Sequence, residues 1–408
     1  MRSALKNTNG SVMVLLGAGA SVDAGVLDTR GMIIKLNKLF KEEDAKLAEF
    51  ALLYESLKKL FGEKSIKDGK EVYQDLNIEQ LVAILEDLVS LLDRKHSLSP
   101  LLEPIITIFQ SMHGFAEIKN FKTEIENQLI KWIAPDTFKL EYIKPLLGFV
   151  NENPGAGLKV FTLNYDKCIE TAFKDFGEEF NVSLERGFGK EKQGDFWKGK
   201  NFEDKEESKD GNNKYLFLYK LHGSIDWDRN IKQELICANT LSVNECIFGS
   251  NLKVRTYDPF LYFTYQFRTC TLNTKVIIVC GYNFSDKHIN DILHQALVND
   301  PKKKILICKY FDFETNDSLT NEEILEKELE AKEFFRQKLE LETTQQIEII
   351  MGRADHFFNE AFNMNYLETL LPEEEDEEDF YKLTSDSDTI VFESHEDEMS
   401  KIGELSQE

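Results

Sequence analysis

The sequence of 408 residues has few cysteines, no long apolar run and too few basic residues to balance its acidic ones. Its six cysteines form no CxxC pair, which argues against a zinc ribbon and a disulfide framework. No stretch approaches the roughly 18 apolar residues of a membrane span, and no signal-peptide pattern opens the chain. We therefore expect a cytoplasmic protein without a membrane partner.

The charge is unevenly distributed along the chain. Lys and Arg number 49 against 73 Asp and Glu, a formal net charge of −24. Fifteen of the acidic residues, with only two Lys, lie in residues 372–408. A run such as EEEDEED repels itself and cannot form a core, so we expect a disordered acidic tail that aids solubility rather than docking. Direct nucleic-acid binding is disfavoured, because it requires clustered basic residues.

Several short apolar runs each end in a polar or glycine-rich signature. Val12 to Leu16 leads into GAGAS, which is typical of a buried parallel strand that feeds a glycine turn. Comparable runs, followed by NYD, HGS and GYNFSD, occupy residues 159–163, 215–221 and 276–280. Parallel α/β sheets bind ligands at the carboxyl ends of their strands, so the signatures are expected to meet at one edge. Residues 304–308 and 347–350 indicate further strands.

The stretch between the first two strands is helical in pattern. Asn77 and Gln80 form a predicted capping box, and the apolar residues from Ile78 to Leu92 recur at spacings of three and four. Residues 191–214 mix both charges with Gly and Asn, which predicts a long exposed loop. Further helices are predicted over residues 322–341 and 355–371.

These patterns predict an α/β protein with a Rossmann-like parallel sheet, a large helical insertion and a C-terminal α/β extension. The predicted domains are residues 1–310, interrupted by the insertion at about 41–150, then a C-terminal helical extension over 311–371 and the tail over 372–408.

The glycine turn indicates a phosphate site. Without side chains at Gly17 and Gly19, backbone N–H groups can approach a diphosphate, and the helix dipole favours the anion. The turn does not continue as GxGxxG, and no strand ending in an acidic residue follows about twenty residues later, so hydride transfer is disfavoured. A purely structural strand-to-helix connection remains the alternative.

Four segments, taken together and in this order, resemble the sirtuin superfamily. They are GAGASVDAGVLDTR at 17–30, TLNYD at 162–166, LHGS at 221–224 and GYNFSD at 281–286. The resemblance implies catalytic roles for Asn164, Asp166 and His222. It implies that NAD is bound by the phosphate-loop residues, the nicotinamide-pocket pair, the strand-end threonine and the late glycine segment: Gly17, Ala18, Gly19, Ser21, Asp28, Arg30, Thr162, Gly281 and Tyr282. It covers the sheet and not the helical insertion.

Simpler explanations exist for single residues. Asn164 could cap the following helix, His222 could be a core histidine, and Asp28 with Arg30 could be a surface ion pair. The ordered set of four segments favours the functional interpretation.

Two departures from the sirtuin pattern bear on the reaction. The paired cysteines of the deacylase zinc module are absent, so no metal is expected. Tyr165 and GYNFSD are similar to the sirtuin-like NAD hydrolases of bacterial antiviral defence, in which the acetyl-lysine groove is absent or covered by helices. The resemblance implies an NAD+ glycohydrolase that yields nicotinamide and ADP-ribose, with NAD as substrate and no cofactor. The alternatives are an NAD-dependent protein deacylase and a non-catalytic module that senses NAD or ADP-ribose.

The expected partners follow from the same resemblance and from apolar surface. Hydrolases of this size are known beside HerA-type motor ATPases, which makes such an ATPase the leading partner. The apolar helices around Leu81 to Leu92 and Ile324 to Leu341 exceed what one sheet needs for cover, so we also expect a homo-oligomer.

Overall fold

The computed structural model describes residues 11–42, 46–67, 70–93, 107, 113–155, 157–191, 194–206, 214–249, 255–312 and 319–371. Thirteen strands lie in these ranges: β1 (Val12–Leu16), β2 (Lys64–Lys67), β3 (Lys70–Tyr73), β4 (Leu158–Thr162), β5 (Ser183–Glu185), β6 (Phe188–Glu191), β7 (Gly194–Trp197), β8 (Tyr215–Lys220), β9 (Trp227–Arg229), β10 (Leu235–Cys237), β11 (Val276–Cys280), β12 (Lys304–Tyr310) and β13 (Ile347–Gly352). The predicted acidic tail lies outside the described residues.

The same ranges contain twelve α-helices: α1 (Thr29–Leu39), α2 (Ala51–Phe61), α3 (Ile78–Leu92), α4 (Phe115–Ile133), α5 (Lys144–Glu152), α6 (Cys168–Phe180), α7 (Lys200–Glu206), α8 (Phe260–Asn273), α9 (Lys287–Asn299), α10 (Asn321–Lys338), α11 (Ala354–Ala361) and α12 (Met364–Leu370). None of these twelve is both long and apolar enough to span a membrane.

Seven strands form one parallel sheet in the order β13-β12-β11-β1-β4-β8-β5. The chain places β4 and β8 on one side of β1 and later β11, β12 and β13 on the other. The strand order therefore reverses at β1, where open α/β sheets bind their ligands. The predicted Rossmann-like parallel sheet is confirmed, and the strand predicted at residues 347–350 is β13, one of its two edge strands.

Helices cover both faces of this sheet. Side chains alternate along each strand, so Met13 and Leu15 of β1 face α8, α9 and α10, whereas Val14 and Leu16 face α5, α6, α11 and α12. Burying one such side chain contributes about 1.5–3 kcal/mol, which explains why the sheet strands are apolar on both faces. These two layers fix the carboxyl ends of the strands relative to one another.

The insertion has a core of its own. Apolar residues of α1, α2, α3 and α4 form a separate buried cluster. The predicted capping box is present, since Asn77 accepts a hydrogen bond from the backbone of Gln80 and Gln80 accepts one in return. The cluster also includes Ile225, directly after LHGS, and Cys246, on the loop that follows β10. The insertion therefore packs against a loop at the edge of the sheet where the signatures meet.

Two local expectations are wrong. The antiparallel hairpin β2–β3 interrupts the stretch that was expected to be wholly helical. The loop predicted over residues 191–214 contains β7 and α7 instead, and Phe202 of α7 is fully buried, stacked on Tyr219 at 4.6 Å between ring centroids. Isolated aromatic residues anchor this segment, although its overall composition is that of a loop. β7 belongs to a small antiparallel sheet in the order β6-β7-β10-β9.

The two helices that suggested self-association differ in their surroundings. Leu81 and Leu85 of α3 are fully buried within the insertion. Leu325 and Leu329 of α10 remain 55% and 59% exposed. The apolar surface that motivates the homo-oligomer prediction is therefore on α10 rather than on α3, and the prediction itself stays open.

Candidate active site

The glycine turn after β1 interlocks with the late glycine segment after β11. The amides of Gly17 and Gly19 donate to the carbonyls of Cys280 and Gly281, both at 2.9 Å. A Cβ at Gly17 would lie 2.6 Å from the Gly281 carbonyl oxygen. A Cβ at Gly281, whose φ is +70°, would lie 2.0 Å from the Ala20 nitrogen. These glycines therefore allow two backbone turns to touch, a role that the sequence prediction of diphosphate access did not include.

Asn164 connects the second signature to this turn. Its side-chain amide donates to the Gly17 carbonyl at 2.9 Å and to the Ser21 hydroxyl at 3.0 Å. Its backbone amide donates to the hydroxyl of Thr162 at 3.0 Å. The side chain does not cap α6: the cap position is Lys167, and the first helical amide, that of Cys168, donates to Asp166 at 2.9 Å. The helix-cap explanation of Asn164 is therefore wrong, although the residue does have a structural task.

His222 lies where β8 ends, in a tightly held turn. Gly223 has a φ of +87°, and a Cβ there would meet the Glu245 carbonyl oxygen at 1.9 Å. The His222 carbonyl accepts from Ile247 at 2.9 Å, and Tyr165 of the second signature donates to the Ile247 carbonyl at 2.6 Å. One connecting loop thus holds the Asn164 and His222 turns together.

An acidic partner of His222 comes from the last signature. The Nε2 atom of His222 lies 3.4 Å from the Oδ2 atom of Asp286, and the two residues are 4% and 7% exposed. Asp286 also caps α9 by accepting from the His288 amide at 3.0 Å. The sequence prediction gave Asp286 no role, although an Asp directly before a helical pattern is a recognisable cap signal.

A buried ionic network lies below these turns. Asp226 accepts two hydrogen bonds from Arg186, both at 3.0 Å, and one from Ser224 at 2.6 Å. Arg186 and Lys220 both contact Glu170, at 3.1 and 3.0 Å, and Lys220 also donates to the Asp166 carbonyl. Burial alone would raise the pKa of Asp226, but the nearby Arg186 and Lys220 cations and the Ser224 hydroxyl bring it well below its usual range.

The four signatures surround one pocket of about 570 Å³. Ten of the twelve predicted site residues line it: Gly17, Ala18, Gly19, Asp28, Arg30, Asn164, Asp166, His222, Gly281 and Tyr282. The other two, Ser21 and Thr162, lie behind Asn164 beside a small cavity of about 10 Å³. The structure therefore brings the predicted residues together, while their chemical roles stay predictions.

Asp28 and Arg30 occupy different positions at this pocket. Asp28 caps α1 by accepting a hydrogen bond from the Gly31 amide at 2.7 Å. Arg30 is exposed at the pocket wall. The predicted pair therefore combines a fixed carboxylate with an accessible guanidinium.

The insertion supplies pocket residues that the sequence prediction missed. Asn77, Ile78 and Glu79 at the start of α3, with Leu129 and Ile133 of α4, line the same pocket. Apart from the capping box at Asn77, no motif marks these residues, because their place at the pocket follows from how the insertion packs. The helices α1, α3 and α9 all begin at the pocket. Helix N-termini carry partial positive charge, but Asp28, Asn77 and Asp286 cap these three, and Glu79 and Asp166 add further carboxylates to the pocket wall.

The described residues contain neither a disulfide nor a cluster of metal-ligating side chains. All six cysteines are free thiols, and Cys168, Cys246 and Cys280 are buried. Within the part of the chain that the structure describes, no group of three or more His, Cys, Asp or Glu is arranged to hold a metal ion. Burial raises the pKa of Cys237 to about 11, although the Arg186 cation opposes this.

Comparisons with known proteins point to one family. A model described as the SIR2-like domain matches residues 158–334, which is less than half of the chain. The match includes three of the four signatures and not the glycine turn at 17–30. No curated protein matches the chain.

Solved structures give only distant similarities. A Sir2 homologue bound to NAD is 11% identical with a TM-score of 0.35, covering 91% of this chain and 95% of its own. A Sir2 mutant bound to 2'-O-acetyl ADP-ribose is 13% identical with a TM-score of 0.36, covering 92% and 100%. Both TM-scores are below 0.5, so neither similarity carries an argument about function.

Proposed function

We propose that this chain, whose residues 158–334 match the SIR2-like domain, is an enzyme that hydrolyses NAD to nicotinamide and ADP-ribose. The observation that carries the proposal is the convergence of Asn164, Asp166 and His222 in one pocket with the starts of three helices. NAD is the substrate, and the proposal requires no other cofactor.

The pocket suits an anionic dinucleotide. Its volume of about 570 Å³ lies within the roughly 300–1,000 Å³ typical of small-molecule and cofactor sites. The exposed guanidinium of Arg30 is the positive group at the pocket that can pair with a diphosphate, whereas Asp28, Glu79, Asp166 and Asp286 supply carboxylates for the uncharged and cationic parts of NAD. We assign the diphosphate to the side of the turn at Gly17 to Gly19, although the Gly17 and Gly19 amides themselves donate to Cys280 and Gly281. We assign the nicotinamide end to the side of Asp28 and Asn164.

The chemistry needs a stabilised ribosyl cation and a base. As the C–N bond to nicotinamide breaks, nicotinamide leaves as a neutral molecule and positive charge develops on the ribose, as in other glycoside hydrolyses. The Asp166 carboxylate stabilises this charge or orients the attacking water. His222 accepts the water proton as the new C–O bond forms, and releases it to solvent afterwards. Asn164 donates to the Gly17 carbonyl and thereby fixes the turn that binds the diphosphate relative to the strand end that carries Asp166.

The pocket wall supports hydrolysis over protein deacylation. Residues from α3 and α4 of the insertion line the same pocket as His222, and we propose that the insertion covers this pocket against an acylated peptide. Water then remains as the acceptor of the ribosyl group. A deacylase would need an acylated peptide, and a sensing module would bind NAD without consuming it, so both alternatives are distinguished by turnover.

The test is chromatography of purified protein with NAD. Nicotinamide and ADP-ribose should accumulate in equal amounts without any peptide. Asn164→Ala and His222→Ala should each slow turnover by about 10²–10⁴-fold, as the loss of a positioned catalytic group does. His356→Ala, an exposed position on α11 away from the pocket, should turn over NAD like the wild type. NAD loss that requires an acylated peptide, or full activity of His222→Ala, would contradict the proposal.

We further propose that this activity depletes NAD in antiphage defence in the cytoplasm. Support comes from the resemblance of Tyr165 and GYNFSD to the sirtuin-like hydrolases of defence systems. An enzyme that destroys a central metabolite needs restraint, for which we propose a homo-oligomer and a HerA-type ATPase partner. Turnover with and without that ATPase, together with light scattering, tests both. A monomer whose turnover the ATPase does not change would contradict them.

A further inference from the structure

The two carboxylate oxygens of Asp286 make two different contacts. Oδ1 accepts the hydrogen bond from the His288 amide that caps α9. Oδ2 lies 3.4 Å from Nε2 of His222. Capping a helix does not require a carboxylate, since Asn and Ser cap about as well as Asp. The negative charge of Asp286 at His222 therefore has no explanation in the helix cap.

Both members of this pair are held by the backbone around them. The Asp286 amide donates to the Tyr282 hydroxyl at 3.2 Å, and that hydroxyl donates to Asn290 at 2.8 Å. On the other side, the His222 carbonyl accepts from Ile247. The separation of carboxylate and imidazole is thus set by two fixed turns, which is the condition for a preorganised site.

We propose that Asp286 is a positioning residue that sets the ring orientation and tautomer of His222. A carboxylate at Nε2 favours the neutral ring with its proton on Nε2 and its lone pair on Nδ1. Nδ1 is then the atom that takes the proton from the attacking water. The resulting imidazolium lies beside the carboxylate, which keeps its own charge, until the proton passes to solvent. This inference rests on the proposed role of His222 as the base.

Three substitutions separate this positioning role from two simpler roles for Asp286, a helix cap alone and a direct contact with the substrate. Asp286→Asn and Asp286→Ser keep a helix cap and remove the charge, whereas Asp286→Ala removes both. If Asp286 positions His222, the Asn and Ser variants melt near the wild-type temperature, and their kcat falls about 10²–10⁴-fold while KM and the Kd for NAD stay within about threefold. If Asp286 is only a cap, the Asn and Ser variants keep the wild-type kcat. If Asp286 contacts the substrate, KM and Kd rise. Either of these two results overturns the proposal.

A double-mutant cycle and a spectroscopic measurement complete the test. In a His222→Ala background, Asp286→Asn should cause no further loss of turnover, because the residue it positions is gone. In 15N-histidine-labelled protein, the His222 resonances, identified by their loss in His222→Ala, should report a proton on Nε2 in the wild type and a changed tautomer in Asp286→Asn. Unchanged resonances would overturn the proposal even if the enzyme is inactive. Absence of NAD turnover in the wild type would instead count against the proposed function.

Discussion

The interlocked turns predict an unusually costly glycine substitution. In Gly281→Ala the new Cβ would lie 2.0 Å from the Ala20 nitrogen and 2.5 Å from the Gly19 carbonyl carbon, at a φ of +70°. The left-handed backbone costs an alanine about 1–2 kcal/mol. Overpacking adds about 1–3 kcal/mol, because the crowded atoms are backbone and cannot move aside as a side chain can. We therefore expect a loss of about 2–5 kcal/mol in the free energy of unfolding.

Two control variants separate the contributions. Gly25 has a φ of +94°, and nothing lies within 4 Å of its missing Cβ, so Gly25→Ala measures the backbone cost alone. Gly17 has a φ of −116°, and its missing Cβ would lie 2.6 Å from the Gly281 carbonyl oxygen, so Gly17→Ala measures the crowding alone. Gly281→Ala should lose more stability than Gly25→Ala by roughly the crowding term.

Thermal melting followed by circular dichroism provides the assay. At roughly 2 °C per kcal/mol for a chain of this size, Gly281→Ala should melt about 2–6 °C below Gly25→Ala. Gly17→Ala should account for most of that difference. Equal melting temperatures for Gly281→Ala and Gly25→Ala would refute the claim that the two turns require backbone contact.

Three further predictions concern the buried charges, metal content and the tail. Asp226→Asn should lower the free energy of unfolding at neutral pH by about 3 kcal/mol, because Arg186 loses a buried partner, while Glu333→Gln at the exposed pair with Arg336 should leave it nearly unchanged. Because folding lowers the pKa of Asp226, the stabilisation from its carboxylate is complete above the unfolded pKa near 4 and declines as the pH falls below it. Denaturation from pH 6 to 2 should therefore show a loss of stability in the wild type that is absent in Asp226→Asn. The same pH dependence in both proteins would contradict this reasoning. Metal analysis should find no stoichiometric zinc, and chelators should leave turnover unchanged, since these cysteines offer no paired spacing; one tightly held zinc per chain would favour the deacylase alternative. Truncation after Leu371 should leave the melting temperature and NAD turnover unaltered, because the acidic run cannot pack into a core; loss of either would contradict this expectation.

The sheet and the location of the site were predictable because strong local signals determine them. Continuous apolar runs such as Val12 to Leu16 are found where parallel strands are covered on both faces, and the polar signatures directly follow those runs. The capping box at Asn77 was equally readable, because capping depends on residues three apart.

The missed features depend on contacts between residues far apart in the sequence. Phe202 is buried because rings from distant segments surround it, among them Tyr219 and Phe263, whereas the composition of its own segment points to a loop. The pairing of Asp286 with His222 and the presence of Glu79 at the pocket depend on how separate turns and helices meet. The close approach at Gly281 likewise requires the turn at Gly17 to be in place, so single motifs do not reveal it.

The most direct test of the central claim is the product analysis of NAD incubated with the purified wild-type protein and with His222→Ala. The account predicts that the wild type releases nicotinamide and ADP-ribose in equal amounts without an acylated peptide, and that His222→Ala releases them at least about a hundredfold more slowly. NAD that is bound but remains intact, or that is consumed only when an acylated peptide is present, would contradict it.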